Sequence, residues 1–412
     1  MSKRGAAALA CLIIVLYWAA LGSPVMYDDL SHVRDNPAFR LPAREFFSGL
    51  LSSQYFSFAK ERTFQPLVTL FHYATHTTPL LYRLFGLALH GLNAVLLYHV
   101  SRRLTAGRRP AIFAACLFLL FPAATELLNF SSFKGHLFAT TCILAVLLSA
   151  SSPVRICLFL ILGLLSKESA LLAVPLLFLN GMNDYSQFKR IKSAAVPVAL
   201  ICAVYLWYRF FFLAAPPAFP KQFDYSSLES FSFYLRTLTV PYPLCLERTL
   251  PSGPWWLIWI FLYAVAAYLA RKSKPSLVAL LWIPISLLPF LHFISFSNVS
   301  PVADRYLYLA SAGFALFLSL NLNERALIGI LVVYAGLTGA RNLTYRTPRS
   351  LYADAAACAP MNARAHFLNG NAAFHEGDYP AAKASYERVL SLTDSPGARE
   401  ALENTKRLII TP

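Results

Sequence analysis

Two adjacent carboxylates, Asp28 and Asp29, follow directly on the first long apolar run, Ala6 to Leu21, and Asp35-Asn36-Pro37 comes soon after. Acidic residues are scarce, 20 Asp plus Glu in 412 residues. A pair placed where an apolar helix meets water therefore reads as chemistry, because charge at a membrane edge is costly to keep. A solvated loop pair that caps the next helix is the competing reading. The charges at the same ends of other apolar runs are Asp35, Glu126, Lys134, His136, Lys167, Glu168, Arg209, Arg236, Asp304 and Arg305. Carboxylates mixed with Lys and Arg at one membrane face suit transfer from a lipid phosphate. The cations hold the leaving phosphate, and a carboxylate takes the proton from an acceptor hydroxyl. An ion transporter is the rival use of such residues. It would place them near the midplane of broken helices, with two similar halves, and the sequence shows no internal repeat.

The elements that position these residues are apolar. Hydrophobic residues make up 57% of the chain and charged residues 14%, and the mean hydropathy is +0.52. Such a composition predicts an all-α, polytopic membrane protein. Runs at 6–22, 82–100, 110–124, 136–150, 154–166, 169–182, 193–213, 254–270, 276–293, 306–321 and 326–340 give about eleven spans. Lys3-Arg4, the Arg102 to Arg109 cluster, Lys189-Arg190 with Lys192, and Arg271-Lys272 with Lys274 are separated by even numbers of spans. All four then lie in the cytoplasm, and the Asp pair and the C-terminal tail lie outside. The same parity makes Ser166-Lys167-Glu168-Ser169 the turn of a hairpin with short arms. That turn is expected below the membrane surface, in protein or a wet cavity.

The first outer loop, 23–81, has aromatic, half-apolar stretches expected to lie in the interface plane. The outer loop at 214–253, rich in Pro, Tyr and Phe, is expected to act as a lid. Residues 1–341 would form the membrane domain and 342–412 an extracytoplasmic helical tail. Gly370, Ala382 and Tyr386 stand at offsets of the packing positions in a tetratricopeptide helix pair, with Gly377 to Pro380 as the turn. A plain helical hairpin is the simpler alternative. One repeat cannot bury its own face, so the tail must pack on the membrane domain, on 351–361 or on a partner.

A net charge of +16 in a soluble protein would point to nucleic acid; here it fits cytoplasmic basic loops and anionic lipid. Cys11, Cys116, Cys142, Cys157 and Cys202 lie in apolar runs, while Cys245 and Cys358 lie in polar segments and would pair only if both face an oxidising compartment. The N-terminal run also fits a signal peptide cut near Leu21-Gly22-Ser23. A retained span is favoured, since cleavage would detach the Asp pair from its anchor.

Tyr27-Asp28-Asp29 with Asn36-Pro37, Phe64-Gln65-Pro66-Leu67, Leu89-His90-Gly91-Leu92-Asn93-Ala94, Phe121-Pro122 with Thr125-Glu126, Ser166 to Ser169, and Asp304-Arg305-Tyr306-Leu307-Tyr308-Leu309 occur in that order. With the tail, the chain resembles the transmembrane and tetratricopeptide-repeat (TMTC) O-mannosyltransferases and their bacterial relatives, polytopic glycosyltransferases of the GT-C class. The resemblance implies transfer of mannose or another hexose from a polyprenyl-phosphate donor to Ser or Thr of an extracytoplasmic protein, with inversion. It implies catalytic roles for Asp28, Asp29 and Glu126, with the choice of base between the two Asp left open. Lys167 and Arg305, with Lys134, His136 and Arg236, would bind the lipid phosphate, and the tail, with Gly370 and Tyr386 as its packing positions, would engage the acceptor. No cofactor is firmly implied, and a divalent cation at the outer carboxylates stays open. The departures are Gln65 and Lys134 where the family usually has Arg, His136 where an acid is common, and about one repeat where relatives often have many. A bacterial inner membrane is the expected location. Transfer to a glycan or lipid, en bloc oligosaccharide transfer and a non-enzymatic scaffold are the alternatives.

Overall fold

A computed structural model describes residues 16–60, 63–181, 191–214, 227–250, 253–291 and 302–410. Most of the first span, the Lys3-Arg4 and Lys189-Arg190 clusters, parts of the 214–253 loop and the end of the 276–293 span lie outside the described residues. Every regular element among them is helical, as expected for an all-α chain. After helical residues 16–21 the segment 23–81 holds short helices α1 (Ala43–Leu50), α2 (Tyr55–Ala59) and α3 (Pro66–Thr75). Then come α4 (Pro79–Thr105), α5 (Arg108–Leu119), α6 (Ala124–Asn129), α7 (Lys134–Leu148), α8 (Pro153–Leu164), α9 (Ala173–Gly181) and α10 (Ala195–Trp207). The rest comprises α11 (Ser227–Thr239), α12 (Trp256–Ala270), α13 (Lys274–Leu287), α14 (Leu307–Asn321) and α15 (Glu324–Thr344), and then the tail helices α16 (Pro348–Cys358), α17 (Ala363–His375), α18 (Tyr379–Leu392) and α19 (Pro396–Ile410).

The sequence sets these boundaries locally. Ser152, Ser273, Asn323, Asn362 and Asp378 each accept a backbone N–H one turn on, and so cap α8, α13, α15, α17 and α18. Thr347 and Ser350 form a reciprocal capping box at α16, with Pro348 at its first position. The segment after α8 breaks at Ser166-Lys167 and resumes as a 3-10 turn, Glu168–Leu172, which leads into α9. The helix is therefore interrupted at Lys167, where the sequence placed the turn.

Among the described residues three helices are long and apolar enough to cross a membrane: 79–105, 195–212 and 324–344. Apolar helices at 134–148, 153–164, 168–181, 256–270 and 274–290 are shorter. Val196, Leu200 and Val204 on α10, and Leu257, Phe261 and Leu269 on α12, are exposed. Rows of large apolar side chains facing out are what a surface in contact with hydrocarbon shows. The interior closes through small residues: Gly313 of α14 lies against Trp282 and the Ala279 carbonyl of α13, so tightly that a Cβ there would overlap both.

The tail is joined to this bundle. Leu351, Tyr352, Ala355, Ala356 and Ala365 belong to the same buried core as the apolar helices, which meets the need of a short helical unit for a neighbour. Farther out, Ala373, Ala382, Tyr386 and Leu402 make their own cluster.

Candidate active site

The segment that follows the first helix turns sharply at Tyr27, whose φ of 56° is left-handed. For a bulky residue such a backbone costs about 1–3 kcal/mol and is kept only where the surroundings fix it. Here they do. The Tyr27 N–H donates to the Tyr352 hydroxyl of α16 at 2.9 Å, and the Tyr27 hydroxyl donates to Glu247 at 2.8 Å. This turn splits the two adjacent carboxylates. Asp29 points inward and is buried; its two oxygens accept the backbone N–H groups of Ser131 and Ser132, both at 2.7 Å. Burial pushes the Asp29 pKa up, and the two amide donors pull against that shift. Asp28 stays at the rim, with its side chain 26% exposed and one oxygen 3.5 Å from the Arg364 guanidinium of α17.

Behind the rim stand buried ion pairs. Glu126, on the short α6, accepts from the Arg305 backbone N–H at 3.1 Å and from its guanidinium at 2.6 Å. Asp304 accepts from Arg248 through both oxygens, at 2.8 and 2.9 Å, and also from the Cys245 N–H at 2.8 Å. Glu168 pairs with Arg209 at 2.5 Å, and Arg341 with Asp354 of α16 at 2.5 Å. Buried pairs of this kind hold their elements in place because neither charge can be left alone in the interior.

Arg305 sits between two regions. Its charge acts on Tyr27 and Glu247 on one side and on His136 on the other. On the His136 side a small cavity is lined by His136, Thr140, Ser169, Ser286 and Arg305 together with Ile143, Leu172, Phe290 and Leu309. The Lys167 ammonium donates to the Thr63 hydroxyl at 3.4 Å, and its side chain passes close to Gly135 at the start of α7. The buried Gln65 carbonyl oxygen lies against the same glycine and has no hydrogen-bond partner. Arg305 thus meets carboxylates on one side and a small cavity of mixed polar and apolar lining on the other.

The structure joins Glu126 to Arg305 and places Arg305 and His136 on one cavity, while Asp28 meets Arg364 and Lys167 meets Thr63. Asp29 and Lys134 are buried. The Lys134 ammonium is buried and donates to the Leu127 and Leu128 carbonyls at 2.8 and 3.0 Å, which closes the end of α6. Arg236 lies behind the Arg248–Asp304 pair and donates to the Tyr242 carbonyl at 3.1 Å. Gly370 and Tyr386 face each other inside the tail: a Cβ on Gly370 would stand 2.6 Å from the Tyr386 ring, whose hydroxyl donates to Asn371. They pack the α17–α18 hairpin rather than line the rim. His90 and Asn93 are buried and hydrogen-bonded to Tyr308, the packing role expected of them.

Sequence reasoning missed Glu247 and Arg364. Glu247 is buried, with a side chain 1% exposed; burial raises its pKa, against the pull of Arg364 and the Tyr27 hydroxyl. The Glu247-Arg248 pair stands out in its loop as an acid beside a base, but nothing local says that these two face Asp28 and Asp304. Cys245 and Cys358 form a disulfide, with Cα atoms 6.1 Å apart across 113 residues of sequence, and it ties this loop to the end of α16. Among the described residues no group of three or more His, Cys, Asp or Glu is placed to hold a metal ion.

No family model matches the chain, and no solved structure matches it. A curated protein O-mannosyl-transferase from Caenorhabditis elegans is 23% identical over 437 aligned positions, which cover 94% of this chain and 62% of that protein. The chain therefore spans less than two thirds of that relative's length. Over nearly its whole extent, the chain is distantly related to a protein O-mannosyl-transferase.

Proposed function

We propose that the chain is a membrane glycosyltransferase that moves mannose or another hexose from a polyprenyl-phosphate donor to Ser or Thr hydroxyls of an extracytoplasmic protein. One observation carries this reading: Asp28, a rim carboxylate whose side chain is 26% exposed, and Arg305, which lines a cavity with His136, both act on Tyr27 and Glu247. In the step we envisage, the bond from the anomeric carbon to the phosphate oxygen breaks, and the acceptor oxygen bonds to that carbon from the opposite face. The acceptor proton passes to Asp28, and the polyprenyl phosphate leaves with the electron pair. A direct displacement of this kind inverts the anomeric centre. Lys167 and Arg305 would hold the phosphate, as preorganised cations do best in a dry site, with His136 beside them as a neutral hydrogen-bonding group. Glu126 would fix Arg305 through its two hydrogen bonds, and Asp29 would fix the 131–132 turn.

The distant O-mannosyl-transferase relative supports transfer to protein. Three long apolar helices and five shorter ones among the described residues support a chain that crosses the membrane several times; about eleven crossings are what we propose for the whole. A disulfide persists in an oxidising compartment, so the Cys245–Cys358 link supports a tail and a rim outside the cytoplasm. The α17–α18 hairpin, with Tyr386 seated on Gly370, supports one tetratricopeptide-like unit.

The test is intact-mass spectrometry of extracytoplasmic proteins from cells that carry the wild type or Asp28→Asn. A hexose increment on one or a few proteins, lost in the variant, is expected. Identical masses in the two strains would overturn transfer to protein, and an increment that survives in Asp28→Asn would overturn the choice of base.

A further inference from the structure

The C-terminal tail reaches the rim with one side chain. The Arg364 guanidinium of α17 lies 3.5 Å from Asp28 and 3.3 Å from Glu247. It also lies over the Tyr27 ring, 4.9 Å from its centre. One planar cation therefore spans the two carboxylates and the strained tyrosine between them, a fit that a forked guanidinium makes and an ammonium does not. We infer that Arg364 is a positioning residue of the transfer reaction, which holds the Asp28 carboxylate toward the acceptor hydroxyl, so that the tail completes the active site. This inference rests on the reading of Asp28 as the base.

Two features separate this role from an ordinary surface ion pair. An exposed pair is worth about 0–1 kcal/mol and tolerates removal. Glu247, however, is buried at the foot of the bridge, and Arg364 is the charged side chain that meets both acids. The tail also does not need Arg364 to stay in place. The Cys245–Cys358 disulfide, the Tyr27 N–H to Tyr352 bond, the Arg341–Asp354 pair and the Asn362 amide on the Arg248 carbonyl hold α16 and the start of α17 independently. A residue surplus to docking, aimed at the rim carboxylate by a covalently tied helix, is placed to set geometry. His32 and the Ser31 hydroxyl at the Asp28 backbone carbonyl, with Tyr352 and Arg305, are further polar groups that face this turn.

The test uses the full chain in detergent with a radiolabelled mannosyl-phosphoryl-polyprenol and the acceptor found by the mass experiment. For Arg364→Ala we expect kcat to fall about 10- to 100-fold, the loss typical of a misplaced reacting group, with the acceptor KM little changed. Guanidinium added at a non-denaturing concentration should restore part of the rate, and Arg364→Lys should be intermediate. An intact Cys245–Cys358 link on a non-reducing gel shows that the variant has folded. Wild-type turnover in Arg364→Ala would overturn the inference, as would a rise in KM at constant kcat or a loss that guanidinium does not relieve. Asp28→Asn, assayed alongside, should be inactive with or without guanidinium. If it turns over, the base assignment fails, whereas an inactive Asp28→Asn beside a fully active Arg364→Ala defeats only the role of Arg364.

Discussion

Replacing Arg248 with Met should loosen the outer loop by an amount that a disulfide-reduction rate can read. Arg248 and Asp304 are a buried pair, their side chains 6% and 3% exposed, and the guanidinium contacts both Asp304 oxygens and the Pro243 carbonyl. Removing one partner of such a pair costs about 3–5 kcal/mol, because the other charge is left in the interior. Asp304 keeps the Cys245 amide, so the low end, about 3 kcal/mol, is the better figure. Cys245 is buried and Cys358 half-buried, so attack on the Cys245 sulfur needs this loop to lift, while attack on the Cys358 sulfur sets a background rate. At about 1.4 kcal/mol per tenfold, the open population, and with it the rate of attack at Cys245, rises about 100-fold. The assay is timed dithiothreitol treatment of the full chain, quenched with a polyethylene-glycol maleimide and read as a gel shift. Arg349→Met is the control: its partner is Asp378, the two side chains are 28% and 47% exposed, and such a pair is worth too little to move the rate. An unchanged rate in Arg248→Met, or an equal acceleration in the control, would refute the anchoring role of the Arg248–Asp304 pair.

Asp29→Asn should differ in kind from Asp28→Asn: it puts an amide donor against one of the two backbone N–H groups that Asp29 now accepts, at a cost of roughly 2–4 kcal/mol. A lowered thermal midpoint together with lost activity is expected, whereas Asp28→Asn should keep the wild-type midpoint; a wild-type midpoint in both would count against the structural role of Asp29. Glu247→Gln should change how stability depends on pH. Burial raises the Glu247 pKa, so the folded chain binds that proton more tightly than the unfolded one, and the stability this gives below about pH 4.3 is lost as the pH rises toward the folded value. The midpoint of the Gln variant, measured from roughly pH 4 to 7, should therefore gain on wild type as pH increases, and a gap that narrows instead would reverse the assignment.

The helices could be read from the sequence because their causes are local. Apolar runs end at Ser, Asn, Asp or Pro caps, and the Gly377 to Pro380 turn carries its own φ of 79° at Gly377. The candidate chemistry was legible as a set of residues but not as pairs. Glu126 is 179 positions from Arg305, Arg248 is 56 from Asp304, and Arg364 is 336 from Asp28. No spacing rule links such residues, since only the packing of the bundle decides which charges meet. The same limit explains Lys134, a cation beside a membrane helix that turns inward to close α6.

The separation of Asp28 from Asp29 shows what packing adds. In sequence they are equivalent, one residue apart on a polar turn. The left-handed Tyr27 gives them opposite surroundings, and it adopts that backbone because three distant groups hold it: Tyr352 on its N–H, Glu247 on its hydroxyl and Arg364 over its ring. Two of the three come from the tail. In an isolated membrane domain the turn would lose two of the contacts that oppose a strain of about 1–3 kcal/mol. The tail thus helps to give one inward and one outward carboxylate, which is the arrangement that the proposed transfer asks of Asp29 and Asp28.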